Sequence, residues 1–375
     1  LAYVSGSDYT RGVLAVLIAA RAAGIPVILW GAPGTGKTSL IYALGESEGL
    51  LVKLLLGSTM DPTDLSGLPA LKAVTDGEGQ HVYNVTENTV PQWGDELIQA
   101  GKGILFADEL NNSTPTVQSG LLTLLQDKKI GNRKLPDDVW ILAASNEPED
   151  AADGYELAPP LANRLLHIQW NPPKEDWFDG MLANWGDNLA SAEQVQERSK
   201  IVAFLKNYPN LLQAQPKTDA AAGKAWPSRR SWDNAAKALA AAPNNDTIRN
   251  MILTGLIGEE ASVQFFKWEK SLSLPSHESV LNNPEALDWK AMRADVALTI
   301  LNRVVAFVRA DNLKQSVNVF VAAKHGTKGD IASSLMVSFL GRVKEQKLDV
   351  SALSPLIKDM ADLMVKSGMS GAGNQ

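Results

Sequence analysis

Gly31-Ala32-Pro33-Gly34-Thr35-Gly36-Lys37-Thr38 follows the apolar run Val27-Ile28-Leu29-Trp30 and precedes the helix-like run Leu40-Ile41-Tyr42-Ala43-Leu44. Every fixed position of G-x-x-x-x-G-K-[ST] is filled, with a strand before the motif and a helix after it. The glycines let backbone N–H groups converge on phosphate oxygens, and the helix N-terminus adds partial positive charge. Lys37 is placed to reach β- and γ-phosphates and Thr38 to set its hydroxyl on Mg²⁺, with Ala32, Pro33, Thr35 and Ser39 lining the same loop. A glycine-rich turn with a chance lysine is the competing reading, and the flanking strand and helix argue against it. The stretch predicts a nucleoside triphosphate site.

Working outward, the first ~170 residues alternate short apolar runs with helical patterns, the signature of an α/β sheet with crossover helices. Strands are expected at Val27–Trp30, Val52–Leu56, Ile104–Ala107 and Trp140–Ala144, all near-continuous apolar runs suited to parallel strands covered on both faces. Leu71–Val74 and His81–Val85 flank a turn-rich Thr75-Asp76-Gly77-Glu78-Gly79-Gln80 and predict a β-hairpin. Lys129-Ile130 and Lys134-Leu135, around Gly131-Asn132-Arg133, predict a second. After Trp170 the strands stop, and Asn171-Pro172-Pro173 marks a boundary. Helical patterns follow near 191–207, 229–242, 247–270, 287–310, 312–324, 330–345 and 351–366. Ser271 to Pro284 is expected as a linker, and Ser367 to Gln375 as a frayed tail. The expected division is an α/β domain over 1–170, a helical domain over 171–270 and a helical extension over 271–375.

The 375 residues leave ample length for a buried core. A net charge of −7 argues against a surface broadly adapted to nucleic acid, though not against a small basic pore or groove. With no cysteine, the chain has no disulfide, no thiolate catalysis and no cysteine-ligated zinc, which suits a reducing cytoplasm. The apolar run Val13 to Ala20, bracketed by Arg11 and Arg21, is too short for a membrane span and predicts a buried amphipathic helix. No membrane insertion is expected.

Ile104-Leu105-Phe106-Ala107-Asp108-Glu109 is an apolar strand ending in two carboxylates. Strands of such a sheet deliver side chains to the crevice at their carboxyl ends, where the glycine-rich loop also sits. Asp108 is placed to hold Mg²⁺ directly or through water, and Glu109 to polarise an attacking water. A solvated acidic turn would carry the same pair, and the upstream loop favours the functional reading. Trp140 to Ser145 is another apolar strand and ends at Asn146, which could bond a γ-phosphate or simply cap a turn.

Ala107-Asp108-Glu109-Leu110-Asn111-Asn112-Ser113-Thr114-Pro115-Thr116-Val117-Gln118-Ser119-Gly120-Leu121-Leu122 resembles the Walker B region of MoxR-type AAA+ ATPases. Asn146-Glu147-Pro148-Glu149, Gly154-Tyr155-Glu156-Leu157 and Pro160-Leu161-Ala162-Asn163-Arg164-Leu165 resemble its later motifs, so the likeness covers about 10–240. The resemblance implies an AAA+ P-loop core with two hairpin inserts, a helical lid and ATP with Mg²⁺ as ligands. It makes Asn146 sensor 1 and Arg164 the finger that reaches a neighbouring subunit's ATP. Pro227-Ser228-Arg229-Arg230-Ser231-Trp232 resembles the sensor 2 element at the start of a lid helix, with Arg230 aligning best and Arg229 standing where a proline is common. Cations there oppose the helix dipole, which favours a phosphate partner over a merely solvated helix end. The chain departs from the family at Asn112, where arginine is frequent, at Leu165, where phenylalanine is usual, and at Ala151-Ala152-Asp153.

The resemblance further implies a homo-oligomeric ring, a hexamer, whose hydrolysis rocks the lid and drives chaperone-like remodelling of a protein client. A partner with a von Willebrand factor A domain is also implied. A nucleic-acid motor of the same clade is the alternative, encouraged only by Lys128, Lys129, Arg133 and Lys134 on the second hairpin. A slow nucleotide-switched scaffold is disfavoured by the intact Glu109, and a small-molecule kinase would leave Arg164 and the sensor 2 helix unexplained. His81, His167, His277 and His325 show no metal-ligand spacing, and most of the ten tryptophans are expected in packing. Lys72, His81 and Tyr83 on the first hairpin could touch a substrate.

Overall fold

The computed structural model describes residues 7–147, 155–183, 185, 191–216, 218–272 and 274–348. The chain divides into two compact units, 3–173 and 174–375.

In the first unit, α1 (Asp8–Ala22) leads to β1 (Val27–Trp30), α2 (Lys37–Ser47), β2 (Leu51–Leu56) and α3 (Pro62–Ser66). A hairpin of β3 (Pro69–Thr75) and β4 (His81–Asn88) follows, then α4 (Gln92–Ala100), β5 (Gly103–Asp108) and α5 (Pro115–Asp127). The small pair β6 (Lys129–Ile130) and β7 (Arg133–Lys134) precedes β8 (Val139–Ser145), α6 (Pro159–Ala162) and β9 (Leu166–Gln169). Five strands form one parallel sheet in the order β2-β5-β8-β1-β9.

The apolar runs of the inner strands β5, β8 and β1 are continuous because both faces of the sheet are covered there. β2, at the sheet edge, leaves Leu51, Leu54 and Leu56 exposed and is not covered on both faces as expected. Val27, Leu29, Ile104, Phe106, Trp140, Leu142 and Ala144 join one core with Val13 and Leu17 of α1 and Leu40, Ile41 and Leu44 of α2. The intervening Ile28, Leu105, Ala107, Val139, Ile141 and Ala143 join the opposite core with Leu65, Leu97, Val117, Leu121 and Leu124. β1, β5 and β8 therefore each feed both cores at a period of two. The run Val13 to Ala20 is the amphipathic helix expected: Val13, Leu17 and Ala20 are buried while Val16 and Ile18 are exposed.

The four expected strands and both hairpins are present within a few residues. The fifth strand, β9, has no forecast in the sequence: its alternate residues are exposed, as suits a sheet edge, and it offers only four residues. The second hairpin turns on Gly131-Asn132 alone, with Gly131 at φ +54°.

The second unit is helical: α7 (Lys174–Leu182), α8 (Ala192–Asn207), α9 (Asp219–Ala222), α10 (Arg229–Ala241), α11 (Asp246–Ile257) and α12 (Glu259–Ser271). It continues through α13 (His277–Asn282), α14 (Ala294–Ala306), α15 (Leu313–Ala323), a π-helical turn at Lys324–Lys328 and α16 (Gly329–Glu345). The pattern at 247–270 is two helices, broken at Gly258, whose φ of +80° suits glycine and whose added Cβ would meet the Ala225 carbonyl oxygen at 2.8 Å. The stretch expected as a linker contains α13, whose Val280 is buried. One hydrophobic core runs from Trp177 to Val343, so residues on either side of 271 share it rather than forming separate cores. The helix expected at 351–366 and the tail 367–375 lie outside the described residues.

Phe204, Trp232, Phe265 and Trp268 interlock at the centre, with ring centroids 5.2–6.1 Å apart. Beside them Arg249 bonds Glu197 through both terminal nitrogens (3.3 and 3.0 Å) and Glu269 (3.0 Å), while Lys200 bonds the same two carboxylates at 2.9 Å. Burial pushes the Glu197 carboxyl up, but Lys200 and Arg249 outweigh it and hold it below its ordinary value. Two cations matched to two carboxylates tie α8, α11 and α12 together, and removing any one leaves the network a charge out of balance, a cost of up to about 3–5 kcal/mol. No helix among the described residues is long and apolar enough to cross a membrane.

His277 gives the second unit a pH dependence. Both its ring nitrogens are buried without a hydrogen-bond partner, and the ring lies 5.5 Å from that of Phe307. Burial, reinforced by the Arg303 cation and opposed by Glu278, lowers its pKa from the ordinary 6.5. Above that value both folded and unfolded chains carry a neutral ring. As pH falls below 6.5, the unfolded chain takes up the proton first and stability drops toward the depressed native value. Urea midpoints followed by circular dichroism at pH 7.5 and 5.5 should fall further for wild type than for His277→Leu. Parallel losses in the two proteins would contradict this assignment.

Candidate functional site

The loop between β1 and α2 is held by its neighbours before its own residues act. The Gly31 N–H donates to the Ser145 carbonyl at 3.3 Å, and a Cβ on Gly31 would meet the Trp170 carbonyl oxygen at 2.3 Å. Gly34 and Gly36 take φ of +77° and +91°, a region open to glycine at no steric cost. The Thr35 hydroxyl donates to the Ala32 carbonyl at 2.9 Å, and the Trp170 indole N–H donates to the Thr35 carbonyl at 3.2 Å. Trp170 was legible only as a domain boundary, yet its buried ring and N–H brace the loop.

Lys37 opens α2 and is buried, with its Nζ donating to the carbonyls of Gly31 (2.6 Å) and Ala32 (3.1 Å) and to Asn146 Oδ1 (3.0 Å). The Thr38 hydroxyl donates to Asp108 Oδ2 at 2.6 Å. Asp108 ends β5, and its other oxygen accepts the Glu109 N–H at 3.0 Å. Glu109 stands at φ +54°, in the left-handed region, and starts a 3₁₀ turn at Leu110–Asn112. Asn112 Nδ2 lies 3.4 Å from Glu109 Oε2. The structure thus brings Lys37, Thr38, Asp108, Glu109 and Asn146 to one end of the parallel strands. Ser39 is exposed on α2.

Gly57, just after β2, was not anticipated. Its N–H donates to the Asp108 carbonyl at 2.7 Å, and an added Cβ would meet the Glu109 carbonyl oxygen at 2.3 Å. Only a glycine lets the chain pass the backbone of the two acidic residues this closely.

Arg164 lies outside the cluster. It follows α6, its side chain is exposed, and its Nη1 donates to the Pro160 carbonyl at 2.7 Å. Pro148, Glu149, Gly154 and the altered Ala151-Ala152-Asp153 lie outside the described residues.

In the second unit, Arg229 and Arg230 occupy the first turn of α10, capped by Ser228, whose hydroxyl accepts the Ser231 N–H at 3.1 Å. Arg229 is buried, and burial lowers its pKa while Asp176 and Glu175 act in the opposite sense. Arg230 is exposed. Two cations at a helix N-terminus are opposed by the dipole unless an anion meets them.

Among the described residues, no group of three or more His, Asp or Glu could hold a metal ion. His167 is engaged in structure: its Nδ1 accepts the Trp30 indole N–H and its Nε2 donates to the Ala162 carbonyl, both at 2.9 Å.

Residues 26–167 match the family model described as the ATPase family associated with various cellular activities (AAA). Over 169 residues, 42% of this chain, the sequence is 28% identical to Midasin of Giardia intestinalis, of which the match spans 3%. Over 161 residues, again 42% of the chain, it is 26% identical to the uncharacterized protein YeaC of Bacillus subtilis (strain 168), spanning 45% of that protein. The chain therefore covers less than half the length of either curated relative. Among solved structures, a P216G mutant of RuvB from Thermotoga maritima shares 14% identity at a TM-score of 0.38, covering 82% of this chain and 84% of its own. The family match falls within the first unit and, with the glycine-rich loop and the parallel sheet there, supports a nucleotide-binding, ATP-hydrolysing domain.

Lys37→Ala should weaken binding of a fluorescent ATP analogue by losing a charge-assisted contact of about 1.5–3 kcal/mol, roughly ten- to a hundredfold in Kd. Unchanged affinity in a fluorescence titration would remove Lys37 from the phosphate site.

Proposed function

We propose that this chain is a Mg²⁺-dependent MoxR-like AAA+ ATPase that works as a homo-oligomeric ring, a hexamer, and remodels a protein client. The observation that carries the reading is the junction of Lys37, Thr38, Asp108 and Asn146 by hydrogen bonds of 2.6–3.0 Å at the end of the sheet. The loop 31–38 binds the phosphates, with Lys37 on the β- and γ-phosphates. Thr38 and Asp108 offer two hard oxygen donors side by side, the chemistry a small divalent cation requires. When bound, Mg²⁺ supplies positive charge to the phosphate oxygens.

Glu109 orients and deprotonates the attacking water, and Asn146, already an acceptor for Lys37, bonds the water or the γ-phosphate. Arg164 is the finger for a neighbouring subunit's nucleotide, a role that its exposed position on the turn after α6 supports. A guanidinium there meets charge that develops on the γ-phosphoryl group in the transition state. Arg230 is assigned as sensor 2 on the resemblance and on its exposed place in the first turn of α10.

The client contact is assigned to the β3–β4 hairpin. Leu71, Val82 and Tyr83 are 75%, 56% and 55% exposed there, a density of apolar side chains that suits an unfolded or extended polypeptide. A partner carrying a von Willebrand factor A domain is part of the same proposal and rests on the resemblance alone.

The nucleic-acid alternative loses support at the second hairpin. Lys128 Nζ donates to the carbonyls of Asp137 and Val139, Arg133 pairs with Asp95, and Lys134 pairs with Asp137. Two of its four cations, Arg133 and Lys134, are thus already matched by carboxylates within the unit and Lys128 is tied down by carbonyls, which reduces the charge this hairpin offers a phosphate backbone.

ATPase rate measured against protein concentration, with size-exclusion chromatography alongside, tests the reading. Specific activity should rise with assembly. Glu109→Gln should bind ATP without turnover, and Arg164→Ala should assemble yet lose roughly a hundredfold or more in kcat. A rate flat in concentration and indifferent to Arg164 would mean a monomeric NTPase.

A further inference from the structure

One buried amide, that of Gln118, and one backbone bond from Asn111 tie the segment leading into the Arg164 turn to the loop that carries Glu109. Gln118, on α5, is 1% exposed; its Nε2 donates to the carbonyls of Ser113 and Glu156, both at 3.3 Å. Its Oε1 accepts the Ala158 N–H at 2.7 Å. Asn111 is 4% exposed; its carbonyl accepts the Tyr155 N–H at 2.7 Å, and its N–H donates to Ser145 Oγ at 3.2 Å. Asn111 Nδ2 donates to the Asn146 carbonyl at 3.3 Å.

Ala158 caps α6, and its carbonyl accepts the N–H groups of Leu161 and Ala162 at 2.9 Å. The Arg164 N–H then donates to the Leu161 carbonyl at 3.1 Å, and its guanidinium closes on Pro160. One short, continuous series of bonds therefore runs from Gln118 through the start of α6 to Arg164. Helix α5 does not need this amide for its own anchorage, because Val117, Leu121 and Leu124 already bury in the core at 0–3% exposure. A buried amide costs free energy unless its groups are bonded, and every bond of Gln118 leaves its own helix for the loop 113 or the segment 156–158.

We infer that Gln118, assisted by Asn111, is a positioning residue that fixes the Arg164 turn against the same subunit's Glu109 loop. Its effect on hydrolysis is felt in the neighbouring subunit's site, where Arg164 acts, and not in its own. This rests on the ring reading proposed above.

Mixed assemblies separate the two sites. A Lys37→Ala subunit donates a finger but binds no nucleotide, and an Arg164→Ala subunit binds nucleotide but donates no finger. Each alone should be nearly inactive, and a 1:1 mixture should regain ATPase activity. Gln118→Met is then placed in one partner at a time. In the finger-donating Lys37→Ala subunit it should cut the regained activity roughly tenfold or more, since small misplacements of a transition-state contact are costly. In the nucleotide-binding Arg164→Ala subunit it should leave the regained activity within about twofold, given that no bond of Gln118 reaches a side chain of the cluster. That arm also shows that the variant folds and assembles. Equal losses in both arms, or no loss in either, would overturn the positioning role. Failure of the parent mixture to regain activity would overturn the ring reading itself.

Discussion

Everything at the site depends on the parallel register of β1, β5 and β8. Trp30 lies opposite Ser145 and Ala107 opposite Ala143, so the chain leaves all three strands at one edge of the sheet. Three stretches well apart in sequence, the loop 31–38, the pair Asp108–Glu109 and Asn146, are thereby delivered within hydrogen-bond reach. What holds the register is burial on both faces, since a shift of one residue would exchange the side chains of the two cores. The hydrogen bonds of the site do not create the arrangement. They report that the hydrophobic layers have already done so.

The same economy explains which parts were legible in the sequence. Strands that feed two cores must be apolar at consecutive positions, so Val27–Trp30 and Ile104–Ala107 stand out from their surroundings. The glycine-rich loop shows because few residue types can follow its backbone path. The edge strand β9 is different: with alternate residues exposed, Leu166–Gln169 carries no run to notice. Gly258 also hides in plain view, because the apolar pattern on either side of it is continuous while its backbone turns at φ +80°.

Long-range polar contacts were the least readable class. Gln118 sits in a helix whose apolar face explains its neighbours, and nothing in the local pattern says that its amide meets Glu156 and Ala158, some forty positions on. Gly57 and Trp170 act through backbone atoms of distant residues, a kind of contact that composition and periodicity do not encode. The helical unit makes the same point. Arg249 reads as one of many helical cations, but its buried bonds to Glu197 and Glu269 define how three helices pack. Where charge is matched internally in this way, as also on the β6–β7 hairpin, a count of basic residues overstates what is free to meet a polyanion.

The central claim is that Lys37, Thr38, Asp108 and Asn146 form one triphosphate and cation site. A structure with Mg²⁺ and a non-hydrolysable ATP analogue tests it most directly. Phosphate oxygens should lie within hydrogen-bond distance of Lys37 Nζ, and the cation next to Thr38 and Asp108 in place of their mutual bond. A nucleotide seated away from Lys37, or a Thr38–Asp108 bond that persists with the metal elsewhere, would contradict it.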